Sequence, residues 1–167
     1  MNHKINIILF GIGNVGSALI NKVLKERKSL ILDSHINLRF PVITNSTIAF
    51  FEKEGANFSW EANLIQFGVP FKLENVFKYI KDNELENVIA IDATNDDGFA
   101  NEYFNLLQNE LSVVSVNQAL GQLPVDFGRE LNLAASIFGL DYRFVKLEKT
   151  DKHLAAERLF ETVVKIA

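Results

Sequence analysis

Short apolar runs alternate along the chain with longer stretches in which apolar residues recur every three or four positions. The short runs have the length of buried strands, and the longer stretches have the spacing of amphipathic helices. The predicted strands are 5–10, Ile36–Thr44, Val88–Ala93, Ser112–Val116 and Tyr142–Leu147. The predicted helices are 14–28, Ser59–Phe67, Leu73–Lys81, Asp96–Asn109, 124–138 and Lys152–Ile166.

Two segments fit this alternation less well. Residues Ser46–Glu54 are expected to form a short helix, although their pattern is hard to interpret. Pro41 lies inside the second predicted strand, and because proline cannot donate to a sheet, we expect an edge position or a bulge there. Strands that alternate with helices otherwise predict an α/β fold with a doubly wound, mostly parallel sheet and helices on both faces. A chain of 167 residues suits a single domain spanning 1–167.

The most specific local signal is Gly-Ile-Gly-Asn-Val-Gly at 11–16, between the first strand and the first helix. Here Gly11 allows a sharp turn, Gly13 allows a pyrophosphate to approach the backbone, and Gly16 allows close packing of helix on sheet. Free N–H groups at the helix start would face the phosphates. The motif predicts a dinucleotide site formed by Gly11, Ile12, Gly13, Asn14, Val15 and Gly16; the alternative is a glycine-rich turn without a ligand.

Polar or glycine-rich residues follow four of the predicted strands, at 11–16, 44–46, 92–95 and 115–118. In a doubly wound sheet, ligands bind beyond the carboxyl ends of the strands, so four such ends favour one shared polar ligand. In dinucleotide-binding sheets, the end of the second strand often carries an acidic residue that binds a ribose hydroxyl, or an arginine that binds a 2′-phosphate. The second strand ends here in Thr44-Asn45-Ser46. Because neither signal is present, the expected cofactor is NAD or NADP.

The composition and charge of the chain argue against several classes of function. The net charge of −4 gives no electrostatic reason to expect nucleic acid or a membrane surface as partner. The absence of cysteine excludes disulfides and thiolate chemistry, and the three histidines lack metal-ligand spacing. The apolar runs are too short to be transmembrane helices, and the N-terminus does not resemble a signal peptide, so a cytoplasmic protein is expected. Most of the 14 phenylalanines are interpreted as core or interface residues.

The ordered set of segments Leu9–Leu19, Ile43–Ser46, Ile91–Thr94 and Val113–Asn117 resembles the nucleotide-binding domain of homoserine dehydrogenases, including those fused to aspartokinase. The resemblance extends from about residue 5 to about residue 160. It implies a Rossmann-like fold, with Asn45 and Ser46 near the adenosine ribose and Thr94 and Asn117 near the nicotinamide. The resemblance also implies an oligomer, because members of this family form oligomers, and together with the abundant phenylalanine this leads us to expect a homodimer.

The chain departs from the family at two places. Gln118 stands where the family usually has an active-site lysine, and a neutral amide cannot supply that charge or transfer a proton. The family's glycine-rich turn into its substrate domain is replaced by the charged stretch Lys146–His153. The resemblance therefore implies a cofactor cleft without catalytic residues, and we expect a complete small protein in which the substrate domain is absent.

Three functions remain open from the sequence. The first is a dinucleotide-binding module that is not catalytically competent alone. The second is an oxidoreductase subunit or fragment, which a separate catalytic chain or a longer sequence would complete. The third is a self-associating scaffold that keeps the fold without binding a cofactor. Titration with a dinucleotide separates the third function from the first two.

Overall fold

The computed structural model describes residues 2–147 and 151–167. The strands are β1 (His3–Phe10), β2 (Ile36–Thr44), β3 (Ile48–Phe51), β4 (Val69–Pro70), β5 (Val88–Asp92), β6 (Ser112–Ser115) and β7 (Tyr142–Phe144). The helices are α1 (Asn14–Ser34), α2 (Trp60–Phe67), α3 (Leu73–Asp82), α4 (Tyr103–Gln108), α5 (Val125–Phe138) and α6 (Lys152–Ile166). Two short 3-10 helices, Asp97–Glu102 and Gln118–Gln122, follow β5 and β6.

The strands form one seven-stranded sheet in the order β4-β3-β2-β1-β5-β6-β7. Strands β1, β2, β5, β6 and β7 are parallel, whereas β3 runs antiparallel to β2 and β4 antiparallel to β3. The chain leaves β1 toward β2 and later returns to β1's other side as β5, so the order reverses between β1 and β5. The predicted fold class is therefore confirmed as a Rossmann-like, mostly parallel α/β sheet.

Each face of the sheet carries its own hydrophobic cluster. Along β1, Ile7 and Leu9 point to one face and Ile8 and Phe10 to the other, as the twofold period of a strand requires. Helices α1 and α6 pack together on the first face, and α3, α4 and α5 cover the second. The apolar side of α6 is buried there, so this helix packs on the sheet domain. No helix in the described part of the chain is both long and apolar enough to cross a membrane.

The predicted helix over Ser46–Glu54 is wrong, because this segment turns back on β2 as the antiparallel strand β3. The Asn45 carboxamide oxygen closes the turn by accepting hydrogen bonds from the backbone N–H groups of Thr47 and Ile48. The β-branched and aromatic residues that follow suit a strand better than a helix. Strand β4 was not predicted, since two residues are too few to show an alternating pattern.

Other differences concern element ends. The predicted helix Asp96–Asn109 begins with a 3-10 segment, capped by the Asp96 carboxylate on the N–H of Gly98, and becomes α-helical at Tyr103. The register between β1 and β2 shifts beside Pro41, so the expected bulge is present. Strand β7 ends at Phe144, three residues earlier than predicted. Met1 and residues 148–150 of the charged stretch Lys146–His153 lie outside the described residues.

Candidate functional site

A cleft of about 620 Å³ lies at the carboxyl ends of β1, β2 and β5, where the strand order reverses. Ligands of doubly wound sheets bind at this position. Its lining residues are Phe10, Gly11, Ile12, Gly13, Thr44, Asn45, Ser46, Phe71, Ala93, Thr94, Asn95, Asp96 and Phe99. A larger hollow of about 900 Å³ lies between the ends of α3 and α4, at the amino ends of β5 and β6. We take the smaller cleft as the candidate site because of its place in the topology.

The three glycines of the motif meet different surroundings. Gly11 has a φ of +101°, and a Cβ added there would lie 2.8 Å from the carbonyl carbon of Ala93. A Cβ on Gly16 would lie 1.9 Å from the carbonyl oxygen of Gly11. A Cβ on Gly13 would meet no heavy atom within 4 Å. Gly11 and Gly16 are therefore required by the packing of the chain, whereas at Gly13 the protein leaves open space beside the cleft.

The N-terminus of α1 is left open toward this space. Gly13 is its N-cap residue, no described side chain caps it, and its first turn carries no acidic residue. The first N–H groups of a helix lack internal partners and, with the helix dipole, favour an anion. Asn14 is exposed, and Val15 packs against the core. Neither of these side chains lines the cleft, so both could contribute to it only through their backbone N–H groups.

The turn between β2 and β3 forms a second wall. The Asn45 Oδ1 atom accepts from Thr47 N at 2.9 Å, Thr47 Oγ1 at 3.2 Å and Ile48 N at 2.7 Å. This carboxamide oxygen is occupied by the turn, which leaves the Nδ2 amino group as the end of the side chain that can donate to a ligand. Ser46, at the tip of the turn, is exposed and also lines the cleft.

Residues 93–96, which follow β5, form the third wall of the cleft, and a buried chain of hydrogen bonds lies beneath it. The backbone N–H of Asn117 donates to Ser115 Oγ at 3.0 Å, and the Ser115 and Tyr103 hydroxyls lie 2.6 Å apart. The Tyr103 hydroxyl donates in turn to the Asp92 carboxylate, which also accepts from the backbone N–H and hydroxyl of Thr94. The order of donors along this chain is self-consistent, since each hydroxyl can accept one bond and donate one.

Burial dominates the electrostatics of this network. Asp92 is almost wholly buried, which raises the pKa of its carboxyl above the ordinary value, while its hydrogen bonds from Thr94, Tyr103 and Asn117 act in the opposite direction. Burial and the nearby Asp92 raise the pKa of the Tyr103 hydroxyl far above its ordinary value. The same two causes raise the pKa of Tyr142 to about 12. Both tyrosines therefore remain neutral across the physiological range of pH, and Tyr103 remains a donor to Asp92.

Asn117 belongs to this network and not to the cleft surface. It is fully buried, and its Nδ2 atom donates to Asp92 Oδ2 at 3.1 Å and to the carbonyl oxygen of Asp96 at 2.7 Å. Its Oδ1 atom accepts from the backbone N–H of Ala119 at 3.1 Å. The Gln118 Nε2 atom donates back to the carbonyl oxygen of Val116 at 2.7 Å. Of the residues predicted for the nicotinamide side, Thr94 lines the cleft and Asn117 supports it from below.

The sequence analysis missed three phenylalanines that line the cleft. Phe10 precedes Gly11, Phe71 follows β4, and Phe99 lies in the 3-10 helix after β5. The composition alone indicates that the phenylalanines are mostly core or interface residues, and it does not single out these three. The position of Phe10 next to the motif could have placed it at the site. Phe71 gave no such signal, because the strand before it was not predicted.

The cleft offers no guanidinium to a phosphate. Among its lining residues in the described chain, Asp96 is the one with a charge. The arginine on β2, Arg39, is buried five residues before the end of that strand. Its Nε atom lies 3.2 Å from Asn6 Oδ1, and its Nη1 atom lies 3.3 Å from Glu54 Oε2. Arg39 is therefore not among the residues that line the cleft. Any phosphate bound here would rest on backbone N–H groups and neutral side chains.

Comparisons with known proteins add to this geometry. No family model matches the chain. It is 29% identical over 115 residues to the bifunctional aspartokinase/homoserine dehydrogenase of Buchnera aphidicola, a match that covers 68% of this chain and 14% of that protein. The chain thus spans a small part of the curated relatives it matches.

Solved structures show the same fold. The homoserine dehydrogenase of S. aureus aligns with a TM-score of 0.62 and 17% identity, over 86% of this chain and 32% of that chain. A hyperthermophilic archaeal homoserine dehydrogenase, crystallised in complex with NADPH, aligns with a TM-score of 0.64 and 19% identity, over 85% of this chain and 44% of that one. The resemblance indicated by the sequence motifs is therefore confirmed: this chain is similar in sequence to aspartokinase/homoserine dehydrogenases and in fold to homoserine dehydrogenases.

Proposed function

We propose that this chain is a dinucleotide-binding module for NAD or NADP. The observation that carries the proposal is the open space at Gly13, between an uncapped helix N-terminus and a cleft at the reversal of strand order. Close approach of a pyrophosphate needs a backbone position without a side chain and with N–H groups facing the ligand. Further support comes from the fold shared with an archaeal homoserine dehydrogenase that was crystallised with NADPH.

In this proposal the pyrophosphate lies over Gly11–Gly16, and the adenosine ribose lies beside Asn45 and Ser46. Thr94 faces the ligand from the opposite wall, and Asn117 keeps that wall in place through its bonds to Asp92 and to the backbone of Asp96. The backbone of Gly11 is itself fixed by its N–H, which donates to the carbonyl oxygen of Thr44 at 2.7 Å. The N–H of Ala93 likewise donates to the carbonyl oxygen of Phe10 at 2.8 Å, so hydrogen bonds join the three walls before any ligand is bound.

The module is proposed to lack dehydrogenase activity by itself. Hydride transfer from an alcohol needs a base near the substrate hydroxyl, and Gln118, which stands at the family's lysine position, is a neutral amide bonded to its own backbone. A second candidate is an oxidoreductase part that is completed by another chain or by further sequence. It is favoured by the lengths of the relatives, since this chain covers 32% of the S. aureus homoserine dehydrogenase.

Calorimetric titration of the purified chain with NAD, NADH, NADP and NADPH tests the proposal. We expect at least one of the four to bind with 1:1 stoichiometry and with a heat that is lost when the glycine loop is altered. Absence of binding by all four at millimolar concentration would contradict the proposal and leave the non-binding scaffold.

We also propose that the protein is a cytoplasmic homodimer. Leu133, Ile137 and Phe138 are exposed on α5, and apolar side chains grouped in this way are typical of surfaces that associate. Light scattering at high micromolar concentration is expected to give twice the mass of one chain, and a monomer would contradict this part of the proposal.

A further inference from the structure

A hollow of about 560 Å³ lies at the opposite end of the sheet from the candidate cleft. It opens at the amino ends of β1 and β5, beside Arg39 of β2, and we call it the Arg39 hollow. A strand of the length of β1 separates it from the glycine loop by about 20 Å. The proposed dinucleotide site uses none of the residues at this end of the sheet.

Arg39 lines this hollow with a guanidinium group that is only partly paired. The side chain is 8% exposed. Of the five N–H donors of a guanidinium, the one at Nε donates to Asn6 Oδ1 at 3.2 Å and one at Nη1 donates to Glu54 Oε2 at 3.3 Å. Every fully buried side-chain nitrogen in the described part of the chain has a hydrogen-bond partner, and Nη2 of Arg39 has none there. Nη2 therefore retains accessible surface in the space that Arg39 lines.

The positive charge of Arg39 is weakly balanced. Its counter-ion, Glu54, has a side chain that is 77% exposed, and ion pairs of exposed groups contribute little. A second guanidinium lies nearby, since burial and the charge of Arg39 both lower the pKa of Arg27, while Glu54 acts in the opposite direction. A charge removed from water needs close partners to offset its lost hydration. Arg39 is therefore suited to receive a further anionic group at Nη2.

The Arg39 hollow carries both signs of charge on separate walls. Lys4 of β1 and Lys53, in the loop after β3, line it together with Arg39. Glu84 and Glu86 line it from the turn between α3 and β5. Among the residues that the structure describes, none of these two lysines and two glutamates takes part in an ion pair. The two walls therefore do not neutralise each other.

Hydrogen bonds hold the two walls in place. Asn6 is 3% exposed, and while its Oδ1 atom accepts from the guanidinium, its Nδ2 atom donates to the carbonyl oxygen of Glu86 at 2.7 Å. The loop that carries Lys53 is joined to β2, because the N–H of Glu52 donates to the carbonyl oxygen of Pro41 at 2.8 Å. The distance between the cationic and acidic walls is thus set by the fold.

We propose that the Arg39 hollow binds a small zwitterion, with its carboxylate on Nη2 of Arg39 beside Lys53 and its ammonium group toward Glu84 and Glu86. A dianion would meet the two carboxylates, and a dication would meet three cationic side chains. A molecule with one charge of each sign avoids both repulsions. The chemical class is that of amino carboxylic acids, and the volume of the hollow lies in the range of small-molecule sites.

Three probes with the same number of carbon atoms and different end groups test this proposal: 4-aminobutyrate, succinate and 1,4-diaminobutane. Each is titrated into ¹⁵N-labelled protein, and the backbone N–H signals of Lys53 and Glu86 and the Nε–H signal of Arg39 are followed by NMR. We expect 4-aminobutyrate to shift all three signals. Its dissociation constant should be lower than those of the other two probes by about fivefold, the value of one exposed ion pair.

Variants on the two walls should change the order of the probes. Lys53→Ala should weaken 4-aminobutyrate and succinate by about two- to fivefold and leave 1,4-diaminobutane unweakened. The double variant Glu84→Gln and Glu86→Gln should weaken 4-aminobutyrate and strengthen succinate, a reversal that a general loss of stability does not produce. Arg39→Lys keeps the charge, loses Nη2 and should abolish the binding of 4-aminobutyrate, with thermal unfolding as the check on its fold. Lys28→Ala removes an exposed lysine outside the hollow and should change nothing.

Three results would overturn the proposal. The first is no shift of the three signals with 4-aminobutyrate at millimolar concentration. The second is tighter binding of succinate or of 1,4-diaminobutane than of 4-aminobutyrate. The third is unchanged affinity for 4-aminobutyrate in both Lys53→Ala and the double glutamine variant. Each of these results leaves the proposed dinucleotide site untouched, because that site lies at the other end of the sheet.

Discussion

Replacing Gly13 with valine should remove dinucleotide binding and leave the fold intact. In the protein alone, a Cβ at this position meets no heavy atom within 4 Å, so a side chain can start here without a clash and extend into the space assigned to the pyrophosphate. A hydrogen bond to a charged group contributes about 1.5–3 kcal/mol. If the displaced pyrophosphate loses two such bonds, affinity falls by about 3–6 kcal/mol, or roughly 10²- to 10⁴-fold.

The expected effect on stability is much smaller. Gly13 is the N-cap of α1, and a poorer N-cap residue costs about 0.5–1 kcal/mol. For a chain of this size that corresponds to a fall of about 1–4 °C in Tm. Thermal unfolding followed by circular dichroism measures this fall, and calorimetry measures binding. Gly13→Ala adds a single methyl group and should give an intermediate loss of affinity.

Two other glycines serve as controls. A Cβ at Gly121 also meets no heavy atom within 4 Å, and this residue lies outside the cleft, so Gly121→Val should leave binding unchanged. Gly16→Ala should instead lower the free energy of unfolding, because its Cβ would lie 1.9 Å from a backbone oxygen. A folded Gly13→Val variant that binds NAD or NADP as tightly as the parent protein would refute the assignment of the loop to the pyrophosphate.

Four further predictions concern the walls of the cleft and the network beneath them. NAD and NADP should differ less than about a hundredfold in dissociation constant, or about 2.7 kcal/mol, because Asn45 and Ser46 are neutral; a larger ratio from titration would reveal an unrecognised determinant. The isolated chain should form no NADH or NADPH from homoserine in an absorbance assay, since loss of a base alone costs about 10²–10⁴-fold; clear turnover would require a catalytic pocket elsewhere. Tyr103→Phe should lower the free energy of unfolding in urea by about 1–3 kcal/mol, because Asp92 and Ser115 each lose a partner; an unchanged value would show that the network does not stabilise the fold. In the parent protein, folding raises the pKa values of Tyr103 and Tyr142 above the ordinary value of 10.0. The stabilisation that this gives is complete below pH 10.0 and is lost as the pH rises toward about 12, the folded-state pKa of Tyr142. Urea unfolding at alkaline pH should therefore show the free energy of unfolding falling over that interval.

Most of the sheet could be predicted from the sequence because its central strands are buried on both faces. Such strands appear as continuous apolar runs, as at β1 and β5, and the turn after β1 carries the glycine spacing. The β2–β3 hairpin could not be predicted in the same way. Its turn depends on one hydrogen-bonding side chain, Asn45, and its partner strand has four residues. Local contacts of that kind leave little periodic signal.

The candidate site also has parts that the sequence predicts and parts that it does not, for the same reason. The glycine loop and the polar strand ends were identifiable because their positions follow from where the strands end. Two features depended on packing between distant segments: the burial of Asn117 and the aromatic wall formed by Phe71 and Phe99. An asparagine at a strand end looks the same in sequence whether its amide faces a ligand or a buried carboxylate such as Asp92. Only the three-dimensional arrangement separates these two roles.

The sheet ends on each side in a very short strand, and this has a consequence for how the protein can assemble. Strand β4 has two residues, one of them Pro70, which has no N–H to donate, and β7 has three. Neither border offers enough free backbone for a neighbouring molecule to extend the sheet, a device that protects proteins from edge-to-edge aggregation. Pairing of two copies is therefore expected to use side-chain surfaces on the helices and not the edges of the sheet.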